Sequence, residues 1–463
     1  MTLITSISGI RGTIGGFPSL GLTPIDIVKF TSAYAMLLRQ QADNGEISVV
    51  MGRDARISGK MVEHLVVGTL MAAGVNVINL GLSTTPTVEL AVIDFKANGG
   101  IILTASHNPR QWNALKMLNE HGEFISESAG NQLIAWVKSG NFEYAEADHL
   151  GKYQRIENYF QHHIEKILAL PLVDVNSIKD AGFHVAIDAV NSTGGIFVPM
   201  LLKALGVEKI TELYCDPNGR FPHNPEPLPE HLSEISELVI KKNADLAFVV
   251  DPDVDRLVIV DENGEMFGEE YTLVAVADYV LMYEKGNTVS NLSSTHALKE
   301  ITQKAGGEYF ASAVGEVNVV KMMKETKAII GGEGNGGIIY PPLHYGRDAL
   351  VGIALFLSHL AKSGKSCSSL RATYPNYFIS KNKIQLSEGM NADDILLKIR
   401  IKYAKQRANT LDGLRIEFGN DWVHLRCSNT EPIFRIYAES DSLQKAEVLA
   451  RKLIEDIREI IRP

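Results

Sequence analysis

Short apolar runs recur along the chain, and each leads into a loop of glycine, asparagine or aspartate before a helical pattern begins. Ile47–Met51 runs into Gly52-Arg-Asp-Ala-Arg56, and His184–Ile187 into Asp188-Ala-Val-Asn-Ser-Thr-Gly-Gly195. Leu246–Val250 runs into Asp251-Pro-Asp-Val-Asp255, and Lys327–Ile330 into Gly331-Gly-Glu-Gly-Asn-Gly-Gly337. Runs this short read as buried strands, and their alternation with helices predicts βαβ units and parallel pairing. Beyond a linker expected at Ser363–Ser369 the pattern changes. Gly413–Phe418, Trp422–Arg426 and Ile433–Ala438 alternate like antiparallel strands, and Leu443 to Ile461 reads as an amphipathic helix. The pattern predicts three related α/β domains and a smaller α+β domain. The expected spans are 1–150, 151–255, 256–368 and 369–463.

Composition narrows the function classes. A chain of 463 residues is too long for one ordinary core. A formal net charge of −10 weighs against nucleic-acid binding. No apolar run reaches the ~18 residues of a membrane span, and the first residues lack the basic and apolar regions of a secretory signal. Cys215, Cys367 and Cys427 are few and far apart, which suits a reducing compartment and argues against a disulfide framework or a cysteine zinc site. The expectation is a cytoplasmic protein with neither nucleic-acid nor membrane partners.

Four segments carry candidate chemistry. Gly99–Leu103 reads as a strand, and Thr104-Ala-Ser-His-Asn-Pro-Arg-Gln-Trp-Asn113 follows it. Ser106 therefore sits just past a strand end, where open α/β sheets present reactive groups. Alone it is a nucleophile, a phosphate carrier or a turn residue; no Gly-x-Ser-x-Gly elbow supports a hydrolase triad. Asp251, Asp253 and Asp255 alternate, and in an extended segment they point to one side. Three such carboxylates need a hard cation, Mg²⁺ or Ca²⁺. An EF-hand loop is the rival, but Arg256 stands where that loop needs glycine. Glu333 and Asn335 lie in a glycine-rich loop and could grip vicinal hydroxyls. Arg426, Ser428, Asn429, Thr430 and Arg435 surround a tight turn with the forks and hydroxyls that a phosphate monoester needs.

Together these segments resemble the motifs of the α-D-phosphohexomutases, nearly end to end. Ser8-Gly-Ile-Arg-Gly-Thr13 is similar to that family's N-terminal segment, and Thr104–Pro109 to its phosphoserine loop. Asp251–Arg256 resembles its metal loop, Gly332–Gly336 its sugar loop, and Arg426–Pro432 its phosphate-binding loop. The resemblance implies four domains around a central cleft, three of them α/β with mixed sheets. It implies that Ser106 carries a phosphate and passes it to a hexose monophosphate. A hexose 1,6-bisphosphate then serves as intermediate and activator. Mg²⁺ is implied between Ser106 and the three aspartates. Arg11, His107, Lys116 and Arg256 fall where residues surround the transferring group. Lys116 is expected as general acid/base, with a pKa lowered by neighbouring cations. Glu333 and Asn335 match the sugar contacts. Arg426, Ser428, Asn429, Thr430 and Arg435 match the contacts to the non-reacting phosphate.

Two positions depart from the family pattern. Ala114 replaces the glycine of Asn-Gly-x-Lys, and Asn335 replaces the serine of the sugar loop. The asparagine loop is similar to that of archaeal-type hexomutases. Both hexose and hexosamine activities occur among them; glucosamine phosphate is expected first as substrate, with glucose or mannose phosphate second. A non-catalytic phosphosugar-binding protein is the distant alternative, and it needs no carrier serine beside a metal loop.

Overall fold

The computed structural model describes residues 2–6, 9–42, 45–385, 391–427 and 433–461. The chain forms two compact units, residues 1–272 with 335–370, and residues 273–334 with 371–463. Among the described residues no helix is long and apolar enough to cross a membrane.

The first unit begins with a seven-stranded mixed sheet. Its strands are β1 (Ile4–Ser6), β2 (Gly9–Thr13), β3 (Ile47–Arg53), β4 (Val75–Leu82), β5 (Gly99–Leu103), β6 (Trp112–Leu118) and β7 (Tyr153–Arg155), in the order β1-β2-β6-β5-β3-β4-β7. The run β5-β3-β4-β7 is parallel, and β6, β2 and β1 add antiparallel strands to the β5 edge. Strand period two sorts the side chains. Val49, Met51, Ile101 and Leu103 face a core with helices Pro24–Gln41 and Gly59–Ala72. Val50 and Ile102 face the opposite core with helix Thr85–Asp94. With both faces covered, β5 is a continuous apolar run, as parallel central strands require. The reactive loop therefore leaves a rigid strand.

The next sheet contains β8 (His184–Asp188), β9 (Lys209–Leu213), β10 (Leu246–Val250) and β11 (Leu257–Asp261), in the order β11-β10-β8-β9. Strand β10 is parallel to β8 and antiparallel to β11. This corrects the boundary expected between 255 and 256, which would cut a hairpin whose turn is the three-aspartate loop. Leu257–Val260 continues the same sheet because its apolar side chains fill the same core as β10. The expected linker at Ser363–Ser369 is also corrected. Helix Ala349–Ser363 ends there, helix Cys367–Arg371 begins, and the Ser368 N–H and hydroxyl donate to Glu262 at 3.0 and 2.5 Å. The serines cap and anchor a turn; they do not form a flexible tether.

In the second unit, β12 (Asn287–Asn291) lies between β13 (Tyr309–Ser312) and β14 (Ala328–Glu333), all parallel. Strand β15 (Gly337–Ile339) belongs to the first unit. The C-terminal sheet joins β16 (Phe378–Gln385), β17 (Ala408–Asn409), β18 (Leu414–Phe418), β19 (Asp421–Cys427) and β20 (Ile433–Ser440) in the antiparallel order β16-β20-β19-β18-β17. Helix Leu443–Ile461 buries Ala446, Ala450, Leu453 and Ile457, a stripe at helical spacing. The alternation and amphipathic period read from the sequence are both present.

Candidate active site

Ser106 adopts φ 47° just beyond β5. That left-handed conformation costs a non-glycine residue about 1–2 kcal/mol, so its surroundings must hold it. Its N–H donates to Thr104 Oγ1 at 2.9 Å, and the Thr104 hydroxyl donates to Asp54 Oδ2 at 2.8 Å. Arg56 supplies the rest. Its Nε pairs with Asp54 at 2.9 Å, while Nη1 donates to the Pro109 and Trp112 carbonyls at 2.8 and 3.0 Å. Nη2 donates to the Ser106 and Asn108 carbonyls at 2.5 and 2.7 Å. A planar five-donor fork suits this task as lysine would not.

The Ser106 hydroxyl donates to Asp251 Oδ2 at 2.6 Å. Asp251, Asp253 and Asp255 are fully buried, and one oxygen from each lies within 4.8 Å of the others. They do not converge by extended alternation, as the spacing alone suggested. The chain curls around the first carboxylate: Val254 takes φ 63°, and Asp251 Oδ1 accepts the Asp255 and Arg256 N–H groups at 3.1 and 3.2 Å. Outer contacts pin this turn. The Ser192 and Thr193 hydroxyls donate to the Pro252 carbonyl at 2.7 and 2.8 Å. Thr85 donates its N–H to the Asp253 carbonyl at 2.9 Å and its hydroxyl to Asp253 Oδ2 at 2.5 Å.

Lys116 and Arg347 pair directly with these carboxylates. Lys116 Nζ lies 2.7 Å from Asp253 Oδ2 and 3.4 Å from Asp255 Oδ2. Arg347 Nη2 lies 2.6 Å from Asp255 Oδ2. Asp253 Oδ1 and Asp255 Oδ1 remain buried without a hydrogen-bond partner. An unpaired buried carboxylate oxygen is costly, and a cation with oxygen ligands would satisfy both. The residues therefore fit a divalent ion.

Titration follows from this packing. Burial, followed by the charges of Asp255 and Asp253, pushes Asp251 well above the usual carboxylate range. Asp255 moves the other way: against burial, Arg347, Lys116 and Arg256 hold it low. Asp251 thus contributes stability below the ordinary carboxylate pKa and loses it as pH rises through its raised folded value. A divalent ion should offset that loss. We expect the Mg²⁺-induced rise in Tm to grow as pH climbs above the ordinary carboxylate range, the stabilisation at saturation being about 2.7 kcal/mol at ~100 times Kd. Scanning calorimetry should show the rise disappearing in Asp253→Asn; an unchanged rise in that variant would place the ion elsewhere.

Lys116 departs from expectation. Burial pulls its pKa down, but Asp253 and Asp255 outweigh it and hold the ammonium above the ordinary lysine range. No neighbouring cation lowers it to a base. His107 is the neutral group here. Its Nδ1 accepts from Arg256 Nη2 at 2.9 Å and lies 3.4 Å from Ser106 Oγ, and burial together with the Arg256 charge pushes its pKa well down. Arg11 on β2 pairs in register with Ala114 on β6, two residues from Lys116, and its charge adds to the depression of His107.

The first unit thus brings together Ser106, His107, Lys116, the three aspartates, Arg256 and Arg347. Asn335 belongs with them, its Oδ1 accepting from Arg347 Nη1 at 3.5 Å and from the Gly337 N–H at 3.3 Å. Glu333, in the second unit, is buried, and its Oε1 accepts from Asn291 Nδ2 and the Gly315 N–H at 3.0 Å each. Also there, Arg426 on β19 and Arg435 on β20 stand directly opposite each other. Like charges opposite across a ladder repel; Asp412 pairs with Arg426 Nε at 2.8 Å, and an anion would settle both arginines. Ser428, Asn429 and Thr430 lie outside the described residues.

Sequence reasoning assigned no role to Arg56, Asp54, Thr85, Arg347 or Asp412. Gly52-Arg-Asp-Ala-Arg56 was visible as a charged loop at a strand end, the same signal that drew attention to Ser106. Arg347 precedes the apolar helix Ala349–Ser363, but nothing local shows that it reaches Asp255, 92 residues away.

Family models match the chain in order. The phosphoglucomutase/phosphomannomutase alpha/beta/alpha domains I, II and III match residues 3–144, 158–264 and 268–377, and the C-terminal domain matches 383–456. A phosphoglucomutase/phosphomannomutase of Thermococcus kodakarensis is 34% identical, covering 96% of this chain and 98% of its own. A probable phosphoglucosamine mutase of Methanopyrus kandleri is 30% identical, covering 98% of each. Among solved structures, a phosphoglucomutase/phosphomannomutase family protein of Burkholderia thailandensis superposes with a TM-score of 0.83 at 26% identity, covering 98% of this chain and 97% of the other. The chain belongs to the phosphoglucomutase/phosphomannomutase family and is a phosphohexomutase, an isomerase.

Proposed function

We propose that the chain interconverts the 6-phosphate and 1-phosphate of a hexosamine, glucosamine first, through a phosphorylated Ser106 and a hexose 1,6-bisphosphate. One observation carries this reading. A strained, rigidly held serine hydroxyl touches a buried carboxylate loop in which two oxygens await a cation. Asp251, Asp253 and Asp255 would hold Mg²⁺, which supplies charge neutralisation when bound. Phosphoryl transfer depends mainly on positioning and electrostatics.

In the forward step the Ser106 Oγ–P bond breaks and a bond from phosphorus to the sugar hydroxyl oxygen forms. Lys116 stays charged and steadies phosphoryl oxygens. His107 is the neutral acceptor beside the serine, and we assign it the proton of the sugar hydroxyl, which it passes to the departing Ser106 Oγ. The bisphosphate reorients, its other P–O bond breaks as the phosphoryl group returns to Ser106, and His107 carries the Ser106 hydroxyl proton back to the sugar oxygen that is released. Arg11 and Arg256 add positive charge around the transferring group. Glu333 and Asn335 are assigned to sugar hydroxyls or an amine. Arg426 and Arg435, with Ser428, Asn429 and Thr430, are assigned to the phosphate that does not react.

Asn335 is the residue that bears on the sugar. Its amide both donates and accepts, so it can serve a hydroxyl or an amine. Two relatives bear phosphoglucosamine and phosphoglucomutase/phosphomannomutase names, so glucose or mannose phosphate is the second reading. Coupled assays at fixed Mg²⁺ should rank kcat/KM with glucosamine phosphate first. Asn335→Ser should narrow its lead over glucose phosphate by about tenfold, near the worth of one hydrogen bond to a charged group. A glucosamine rate far below both hexoses would reverse the assignment.

A further inference from the structure

In the second unit one side chain ties the arginine of the phosphate clamp to the glutamate of the sugar loop. Asp412 lies in the turn between β17 and β18. That turn packs on β19: Gly413 takes φ 69°, and a Cβ there would collide with the Leu425 carbonyl. Asp412 is thereby set beside Arg426. Its Oδ2 accepts from Arg426 Nε at 2.8 Å and from the Val314 N–H at 2.9 Å. The next residue, Gly315, donates its N–H to Glu333 Oε1 at 3.0 Å. Two consecutive N–H groups of one loop therefore hold the two carboxylates.

A second route runs through His424. The Asp412 carbonyl lies 2.6 Å from His424 Nε2, and His424 Nδ1 lies 2.9 Å from Ser293 Oγ. A carbonyl only accepts, so Nε2 carries the proton. Burial, together with the Arg415 charge, pushes the ring down to about 4 and keeps it neutral, so Nδ1 accepts from the Ser293 hydroxyl. The Ser293 N–H donates to Asn291 Oδ1 at 2.9 Å, and Asn291 Nδ2 donates to Glu333 Oε1 at 3.0 Å. Both routes start at Asp412 and end on the same Glu333 oxygen. Asn291 and Glu333 end parallel strands, where open α/β sheets bind ligands. Val314 and Glu333 lie in the segment matched by domain III, Asp412 and Arg426 in that matched by the C-terminal domain.

We propose that Asp412 is the positioning residue that fixes the spacing between the phosphate clamp and the sugar contact. This rests on Arg426 meeting the non-reacting phosphate and Glu333 the sugar. In that mechanism the sugar is bound once through its 6-phosphate and once through its 1-phosphate. Each time the clamp takes the phosphate that does not react, so one fixed spacing serves both orientations. Among the described residues Arg426 is engaged through Nε alone, which leaves its two terminal nitrogens to fork onto a phosphate. Asp412 aims the fork without occupying it. The non-reacting phosphate is bound alike in the ground and transition states, so its misalignment should appear in KM and not in kcat.

Steady-state kinetics in double-mutant cycles on the full chain tests the proposal, with whichever of glucosamine, glucose or mannose phosphate turns over fastest. Asp412→Ala should raise KM about tenfold with kcat nearly unchanged. When Asp412→Ala is paired with Arg426→Ala or with Glu333→Gln, the KM penalty should fall well short of the product of the single ones. Asp412→Asn keeps the shape and an acceptor for Val314 but loses the charge. It should therefore stay coupled to Arg426 and uncoupled from Glu333, and it decides the matter if Asp412→Ala does not fold. A fall in kcat with KM unchanged in Asp412→Ala, or penalties that simply multiply in either of its pairs, would overturn the proposal while Arg426→Ala and Glu333→Gln alone still raise KM. If those two single variants keep the wild-type KM, the phosphate and sugar assignments fall, and the role of Asp412 falls with them.

Discussion

Ser106→Ala is expected to lower turnover by roughly 10⁴-fold or more, the scale seen when an enzyme loses its covalent carrier. Substrate affinity should change little, because the serine hydroxyl meets the transferring phosphoryl group and not the sugar. The fold should survive. Alanine bears the same left-handed strain as serine, and the Arg56 contacts reach carbonyls that the substitution keeps. Steady-state kinetics with far-ultraviolet circular dichroism checks this. Retention of a tenth of the wild-type rate in a fully folded variant would mean that the hydroxyl does not carry the phosphate.

Arg56→Leu is expected to have the largest structural effect. The guanidinium is buried, paired with buried Asp54, and bonded to four carbonyls of the serine loop. Removing one partner of a buried ion pair costs about 3–5 kcal/mol, since the other charge stays uncompensated. Ser106 would also lose the contacts that hold its φ of 47°, so kcat should fall even in the folded fraction. Asp54→Asn combined with Arg56→Leu separates the two effects. The pair should recover part of the lost Tm, because no charge is stranded, but little of the kcat, because the carbonyls remain unheld. Recovery of both would reduce Arg56 to a stabilising residue.

The chain announces its chemistry more clearly than its supports. Ser106 and the three aspartates were legible because each lies in a loop at the end of an apolar run, where side chains have no packing reason to be polar, whereas Lys116 lies within β6 and was found only through its resemblance to the family's motif. The C-terminal strands and the final helix were legible from period two and period 3.6. The aspartate turn was misread in shape, since alternation in sequence describes an extended strand, whereas Val254 turns left-handed to wrap the chain. The Lys116 pKa was misread in sign. Its nearest charges are carboxylates from a loop 137 residues away, and a linear sequence does not rank distant neighbours by distance. Arg56 and Arg347 escaped for the same reason: their partners are loop carbonyls and a remote carboxylate that only the fold assembles.

The central claim is that Ser106 carries the phosphate between the two positions of the sugar. Intact-protein mass spectrometry after incubation with glucose 1,6-bisphosphate and Mg²⁺ tests it most directly. One added phosphate per chain is expected, located on the Ser106 peptide, lost on chasing with hexosamine phosphate and absent in Ser106→Ala. An unmodified chain, or a phosphate on another residue that survives Ser106→Ala, would contradict it.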